Sequence, residues 1–380
     1  MSEEQILREL SEILEEDMDY ESGRILGSMC TKPHPLAVKV FQRTIEKNLG
    51  DPLLFPGALK IEREVIRMLG TLLHNPDAHG NIVTGGTEAN IMAIRAARNM
   101  SGKKHGKIIV PESAHVSFDK AAELMGLKII RVPLTEEYIV DLDKLNEYID
   151  RETIAIVGIA GTTGLGVVDP IDKMAEIATD SKVYLHVDAA FGGLVLPFLE
   201  MLGYKVPIWD FRAEGVMSIT VDPHKMGMAP IPAGGILFRS EEIMKHLYIK
   251  VPYLAGGAVN HATIVGTRSG ASVIATWALF KHLGIKGYME VIRRCMKLTE
   301  FLASEIERTP GAQLVRKPIM NIVGIKFDSA DPGIVDRKLR ERGWALGNFG
   351  SFLRVVIMPH IRKEHLVEFV GDLREILENL

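Results

Sequence analysis

Cysteine is almost absent from this chain of 380 residues: Cys30 and Cys295 lie far apart, with no CxxC pair and no Cys/His cluster. That points to neither a disulfide scaffold nor a structural zinc, and no metal is expected. A reducing compartment follows, and we expect a cytoplasmic protein. An excess of one charge is also missing. Lysine and arginine number 45 against 49 acidic residues, a formal charge of -4, so neither nucleic acid nor an anionic membrane is predicted as a partner. No apolar run approaches the roughly 20 residues needed to cross a bilayer. The first residues place Ile6, Leu10, Ile13 and Leu14 at helical spacing among acidic ones, unlike the basic start and continuous apolar stretch of a secretory signal. We expect a soluble, untargeted protein.

What is present is an ordinary globular composition, 47% hydrophobic and 25% charged, long enough for one large core and a smaller lobe. Apolar runs at 107–110, 128–132, 154–159, 183–187, 217–221 and 235–238 read as strands. Between them 116–125, 142–148, 171–179 and the 194–204 region read as helices. Such alternation implies an α/β fold with a mainly parallel sheet covered on both faces. Earlier, prolines 33 and 35 precede an expected helix at 38–48, and 62–73 has helical periodicity that Gly80-Asn81 interrupts. A long helical region begins after Gly266 and is expected to break or bend at Gly284 and Gly287. Beyond it, 322–327, 335–342, 352–357 and 365–377 read as strand, helix, strand, helix. The expected organisation is an arm at 1–50, a large domain at 51–284, and a small C-terminal α+β domain at 285–380.

Ligands of such sheets sit at the carboxyl ends of the strands, so the residues that follow each strand are the informative ones. They include Ser113-Ala114-His115, Gly161-Thr162-Thr163-Gly164, Asp188-Ala189-Ala190 and Asp222-Pro223-His224-Lys225. Lys225 closes a β-rich segment instead of lying on a charged face. Desolvation of an ammonium favours the neutral amine, which can form a Schiff base with a carbonyl. Asp188 ends an apolar strand, and a buried carboxylate needs a positive partner, either a local cation or a protonated pyridine nitrogen. Thr84-Gly85-Gly86-Thr87 opens a helix whose free amides suit an anion, although Thr87 could equally cap it. The stretch is neither a Walker loop nor GxGxxG. His115 reads as a helix cap or as a ring that stacks on a flat cofactor, and His224 as a donor to a phosphate or to bound substrate.

IVTGGTEAN, HVDAAFGG and ITVDPHKMG, in that order and separation, resemble the group II pyridoxal-phosphate decarboxylases of the aspartate aminotransferase fold type. GSMCTKPHP, GTTGLGVVDP, GTRSG and LRVVIMPHI extend the resemblance over nearly the whole chain, to the archaeal L-tyrosine/L-aspartate decarboxylase family. The resemblance implies a fold type I enzyme with pyridoxal 5'-phosphate, an amino acid substrate, and a homodimer with sites at its interface. It implies that Lys225 carries the cofactor, Asp188 pairs with the ring nitrogen, and His115 stacks on the ring. Gly86, Thr87 and His224 would hold the phosphate, Thr162 would lie near the 3-oxygen, and Ala190 would pack beneath the ring. Animal aromatic amino acid decarboxylases read Asn-Pro-His-Lys where this chain has Asp222, and a carboxylate repels phosphate, so Asp222 is not assigned as a ligand. Arg354 and Arg268 are the candidates for a substrate carboxylate. Tyr253, with Tyr248 as its competitor, is the candidate for protonating the substrate carbon.

The expected reaction is decarboxylation of L-tyrosine to tyramine, of L-aspartate to β-alanine, or both, steps toward methanofuran and coenzyme A in related organisms. Arg268 or His261 would suit a second carboxylate, and Phe191 or Tyr253 an aromatic side chain. Alternatives are L-glutamate decarboxylation, carbon–carbon cleavage of the sphingoid-phosphate lyase kind, and a non-catalytic binding protein of the same fold.

Overall fold

The computed structural model describes residues 1–380. Its centre is a seven-stranded sheet: β1 (His79–Val83), β2 (Lys107–Pro111), β3 (Lys128–Val132), β4 (Thr153–Ile159), β5 (Tyr184–Asp188), β6 (Val216–Val221) and β7 (Gly234–Phe238). The spatial order is β1-β7-β6-β5-β4-β2-β3, with β7 antiparallel to both neighbours and every other pairing parallel. All six expected strands are present and the sheet is mainly parallel. The seventh, β1, escapes a reading of periodicity because Gly80-Asn81 looks like a breaker. Pairing makes it a strand: a Cβ on Gly80 would come within 1.9 Å of the Ile236 carbonyl oxygen, so only glycine lets β7 approach.

Side chains alternate between two apolar layers, as a sheet buried on both faces requires. Ile109, Ile156 and Val187 join one core cluster, and Ile108, Val110 and Val157 the other. The chain's helices, in order, are α1 (Glu3–Leu14), α2 (Pro35–Arg43), α3 (Pro56–Leu72), α4 (Gly86–Ser101), α5 (Ser117–Met125), α6 (Leu142–Tyr148), α7 (Ile171–Ser181), α8 (Leu196–Met201), α9 (Glu241–Lys245), α10 (Gly270–Glu307), α11 (Pro332–Glu341) and α12 (Lys363–Glu378). α4 and α5 cover one face, and α3, α7, α8 and α10 the other. The helix expected at 38–48 starts earlier, because Pro35 occupies its first turn and His34 caps it through Leu36 N–H. α10 kinks at Gly284, whose backbone (φ 54°, ψ −169°) leaves the helical region.

A second sheet, β10 (Ala312–Leu314), β11 (Ile322–Phe327), β12 (Gly347–Asn348) and β13 (Leu353–Val356), runs β10-β11-β13-β12 and is wholly antiparallel. The N-terminal segment is stitched to it, since Leu26 N–H donates to Ala345 and Val356 N–H to Leu26. A short hairpin, β8 (Ile249–Val251) with β9 (Val259–His261), stands apart. The topology brings the C-terminal ends of β1, β2, β4, β5 and β6 and the start of β7 to one edge of the large sheet.

Candidate active site

That edge holds a cavity of about 300 Å³ into which Lys225, Asp188, His115, Gly86, Thr87, Ala190 and His224 all face. Lysine and aspartate from adjacent strands thus open on one chamber and not on two. Lys225 follows β6 in a tight turn, its N–H donating to Asp222 C=O. Its ammonium stands 3.2 Å from Asp222 Oδ2, an ion pair that strand periodicity did not suggest. Asp188 is 6% exposed; Oδ1 accepts Ala190 N–H at 3.0 Å and Oδ2 accepts Asn90 Nδ2 at 2.8 Å. Both partners are neutral donors, which leaves lone pairs of the carboxyl oxygens open to a further donor.

The anion end is built from main chain. Gly85, at the N-cap of α4, has no side-chain capping bond, so the first amides of the helix point to the cavity without a partner inside it. Thr87 therefore does not cap this helix. A Cβ on Gly234 would come within 2.3 Å of Gly85 Cα, so β7 and this loop pack backbone to backbone. His224 Nδ1 accepts Ala233 N–H at 3.2 Å, which places the imidazole proton on Nε2. Burial lowers its pKa, so the ring is a neutral donor. His115 is fixed in the same way: Nδ1 accepts Ser117 N–H at 3.2 Å, and burial again lowers the pKa. It accepts the first amide of α5 from outside the helix and faces the cavity at once. Ser113 Oγ and Asp222 Oδ1 are buried without partners in the same wall. A hollow with an uncapped helix end, a lysine amine paired with Asp222 and an open buried carboxylate suits a flat ring that carries a phosphate, an aldehyde and a basic nitrogen.

Four expected residues lie elsewhere. Thr162 turns its hydroxyl inward to accept Val167 N–H at 3.2 Å, and Thr163 faces the cavity instead. Gly161, at φ +103°, sets that turn, and a strand-end count misses it by one residue. Arg268 does not face this cavity: Nη2 meets Glu62 Oε2 at 2.9 Å, and Nη1 meets Glu62 Oε1 and the Ile82 carbonyl. A buried guanidinium needs acceptors and a counter-charge, and Glu62 with the Ile82 carbonyl supplies them. Arg354 donates to Thr163 C=O at 2.7 Å and to Gly27 C=O, leaving Nε without a partner. Burial pulls its pKa down to about 10. Tyr253 is 82% exposed between β8 and β9, and Tyr248 borders a different cavity, with Arg268 and His261.

Ser113 and Thr163 stand among the strand-end residues but were given no role, and Asn90 was missed as a cavity residue. Asn90 left a signal, a polar residue among the alanines and methionine of the inward face of α4. A second cavity of about 320 Å³ shares Ser113, His115 and Thr163 with the first and is walled by Leu134, Tyr138, Phe349 and Phe352.

Comparison with known proteins adds the chemistry. Residues 3–328 match the family described as "Pyridoxal-dependent decarboxylase conserved domain". The L-aspartate decarboxylase of Thermococcus kodakarensis is 52% identical over 379 residues, covering 100% of this chain and 98% of that one. The L-aspartate/L-glutamate decarboxylase of Pyrococcus horikoshii is 51% identical, covering 99% and 98%. A Methanothrix thermoacetophila protein named "Probable L-tyrosine/L-aspartate decarboxylase" is 49% identical, covering 100% and 97%. Among solved structures, Burkholderia pseudomallei sphingosine-1-phosphate lyase superposes with a TM-score of 0.93 at 30% identity, covering 100% of this chain and 91% of that one. Lactobacillus brevis glutamate decarboxylase superposes at 0.90 with 24% identity, covering 100% and 93%, a likeness of fold.

Proposed function

Because this chain belongs to the pyridoxal-dependent decarboxylases and is a lyase that uses pyridoxal 5'-phosphate, we propose that it decarboxylates L-aspartate to β-alanine. The observation that carries the reading is the single chamber shared by Lys225 and Asp188, in a chain about half identical to L-aspartate decarboxylases. Bound pyridoxal phosphate supplies a sink for the electron pair left on Cα when carbon dioxide departs.

The protein's own groups do the rest. The α4 amides at Gly86 and Thr87, the Thr87 hydroxyl and His224 Nε2–H would hold the phosphate. Asp188 would accept the N–H of a protonated ring nitrogen and favour its cationic form. Ala190 and His115 would pack against the ring. Lys225 would hold the cofactor through its amine. Arg354 ties the Thr163 turn to the Gly27 segment through one main-chain acceptor in each, and so positions the Thr163 wall of the cavity. Orientation selects the bond that breaks, so the cavity walls would have to fix the position of the substrate's α-carboxylate.

The second cavity favours a second substrate. Its walls at Phe349, Phe352, Leu134 and Tyr138 would bury an aromatic side chain, and Glu112 is its charged lining group. L-Tyrosine fits there better than an acidic side chain. We assign the protein to the cytoplasm, in keeping with two free thiols, Cys30 and Cys295. We also assign a homodimer: α1 buries no residue and exposes an apolar stripe that includes Leu7, Leu10 and Ile13. Sedimentation equilibrium should return twice the mass of one chain.

The decisive experiment offers L-aspartate, L-tyrosine and L-glutamate to the holoenzyme and measures amine and carbon dioxide. Release of β-alanine supports the main reading, tyramine the second, and an aldehyde in place of carbon dioxide would overturn both. Lys225→Ala should abolish turnover together with the borohydride-reducible link to the cofactor.

A further inference from the structure

From Asn90, at the cavity wall beside Asp188, a run of buried polar side chains leads away from the cavity. Tyr184 OH stands 2.9 Å from Ser218 Oγ, Ser218 Oγ 2.8 Å from His186 Nδ1, His186 Nε2 3.0 Å from Asn90 Oδ1, and Asn90 Nδ2 2.8 Å from Asp188 Oδ2. Thr220 Oγ1 joins Asn90 Oδ1 at 2.7 Å, and Ser117 Oγ takes the second proton of Asn90 Nδ2 at 2.9 Å. Tyr184, His186, Ser218 and Thr220 come from β5 and β6 and Asn90 from α4, all of them buried.

The proton pattern has one consistent solution. A carboxylate only accepts, so the Asn90 atom beside Asp188 is nitrogen; a flipped amide would set oxygen against oxygen. Asn90 Oδ1 then faces His186, and since an amide oxygen only accepts, Nε2 carries the imidazole proton. Complete burial disfavours the imidazolium and pushes the His186 pKa down to about 4, so the ring is neutral and Nδ1 is bare. Nδ1 therefore accepts from the Ser218 hydroxyl, whose oxygen accepts from Tyr184. Every contact pairs one donor with one acceptor, and each fixes the next.

We propose that Tyr184, Ser218, His186 and Asn90 form a positioning relay that holds the Asp188 carboxylate in the orientation from which it grips the cofactor's ring nitrogen. The proposal rests on the reading of Asp188 given above. With Ala190 N–H on Oδ1 and Asn90 on Oδ2, the carboxylate cannot rotate, and neither donor cancels its charge. The free lone pairs stay aimed at the cavity. Without Asn90, Oδ2 loses its only side-chain partner, and a rotating carboxylate offers the ring nitrogen a weaker contact. Tyr184, Ser218 and His186 do not border the cavity, so they act only through Asn90.

The test uses the full-length apoprotein and two ligands, pyridoxal 5'-phosphate and its carbocyclic analogue in which the ring nitrogen is replaced by CH. Affinities are read from absorbance and fluorescence, without turnover. Hydrogen bonds to charged groups are worth enough for Asn90→Ala to weaken pyridoxal phosphate roughly 10-fold or more. Binding of the analogue, which gives Asp188 nothing to grip, should change less than about twofold by the same reasoning. Equal losses for both ligands would mark Asn90 as merely structural and overturn the relay. If Asn90→Ala fails to fold, Ser218→Ala tests the same selectivity further from the cavity, with a smaller expected loss of roughly threefold. Nitrogen-15 NMR of the wild-type apoprotein should find His186 protonated at Nε2; a proton on Nδ1 instead would also overturn the proposal. Asp188→Asn separates the two layers of inference. If it weakens both ligands alike, the reading of Asp188 itself fails; if it is selective and Asn90→Ala is not, the relay alone fails.

Discussion

Asp188 and Arg268 are both buried and charged, and both were expected to meet a ligand, yet the fold treats them oppositely. Arg268, beside the β1 edge, spends its guanidinium on Glu62 and the Ile82 carbonyl. Asp188, near the middle of the sheet, meets only the neutral donors Asn90 and Ala190. Burial and charge are common to an internal strut and a binding group. Unspent capacity distinguishes them, since a buried charge without a counter-charge is stable only if something else will supply one.

The largest expected effect falls on the open charge. Asp188→Ala should lower amine release by about 10³-fold or more, the scale seen when an electrostatic stabiliser is removed, while the urea midpoint of the apoprotein moves little. A variant that keeps a tenth of the wild-type rate would erase the distinction drawn here. At the closed charge the pattern should invert. Glu62→Ala strands the Arg268 guanidinium in the interior and should cost roughly 3–5 kcal/mol in denaturant unfolding. Replacing both partners, Glu62→Leu with Arg268→Met, should restore most of that stability; if the double variant is as weak as the single, the pair is more than a strut.

The neutral backing of Asp188 makes a prediction about acid. The His186 pKa is about 4 in the folded chain, below the ordinary histidine value of 6.5, because burial disfavours its charged form. The folded state thus holds His186 neutral while the unfolded chain takes up a proton. Its contribution is fully present above pH 6.5 and disappears as pH falls toward 4, a loss of roughly 3 kcal/mol. Urea midpoints measured across that window should fall in the wild type and fall less in His186→Gln; parallel curves would refute the assignment. The smallest effect concerns the second cavity. Phe349→Ala should reduce kcat/KM for L-tyrosine roughly 10-fold and leave L-aspartate within about twofold, as loss of apolar pocket contacts does. An equal drop for both substrates would mean that the aromatic wall does not receive the side chain.

Much of the architecture was legible. Apolar runs such as 154–159 and 183–187 announce strands because a sheet buried on both faces tolerates nothing else there. The rule that ligands gather at strand ends then found Lys225, Asp188, His115 and His224 in one cavity. β1 was illegible because its identity lies in β7, more than 150 residues away, whose carbonyl needs the missing side chain of Gly80. The resemblance pointed to Thr162, and the turn at Gly161 instead presents its neighbour Thr163 to the cavity. Asn90 was quoted within its motif and given no role, because its partners Asp188 and Thr220 lie 98 and 130 residues further on.

By itself the order of residues determined six of the seven strands of the large sheet, which loop offers free amides to an anion, and which lysine and aspartate end neighbouring strands. Those follow from short-range patterns of apolarity and glycine. Tertiary structure alone decided which buried charges were spent and which stayed open. Glu62 meets Arg268 across 206 residues and Asn90 meets Asp188 across 98, and hydrogen bonds act over about 3 Å whatever the distance along the chain.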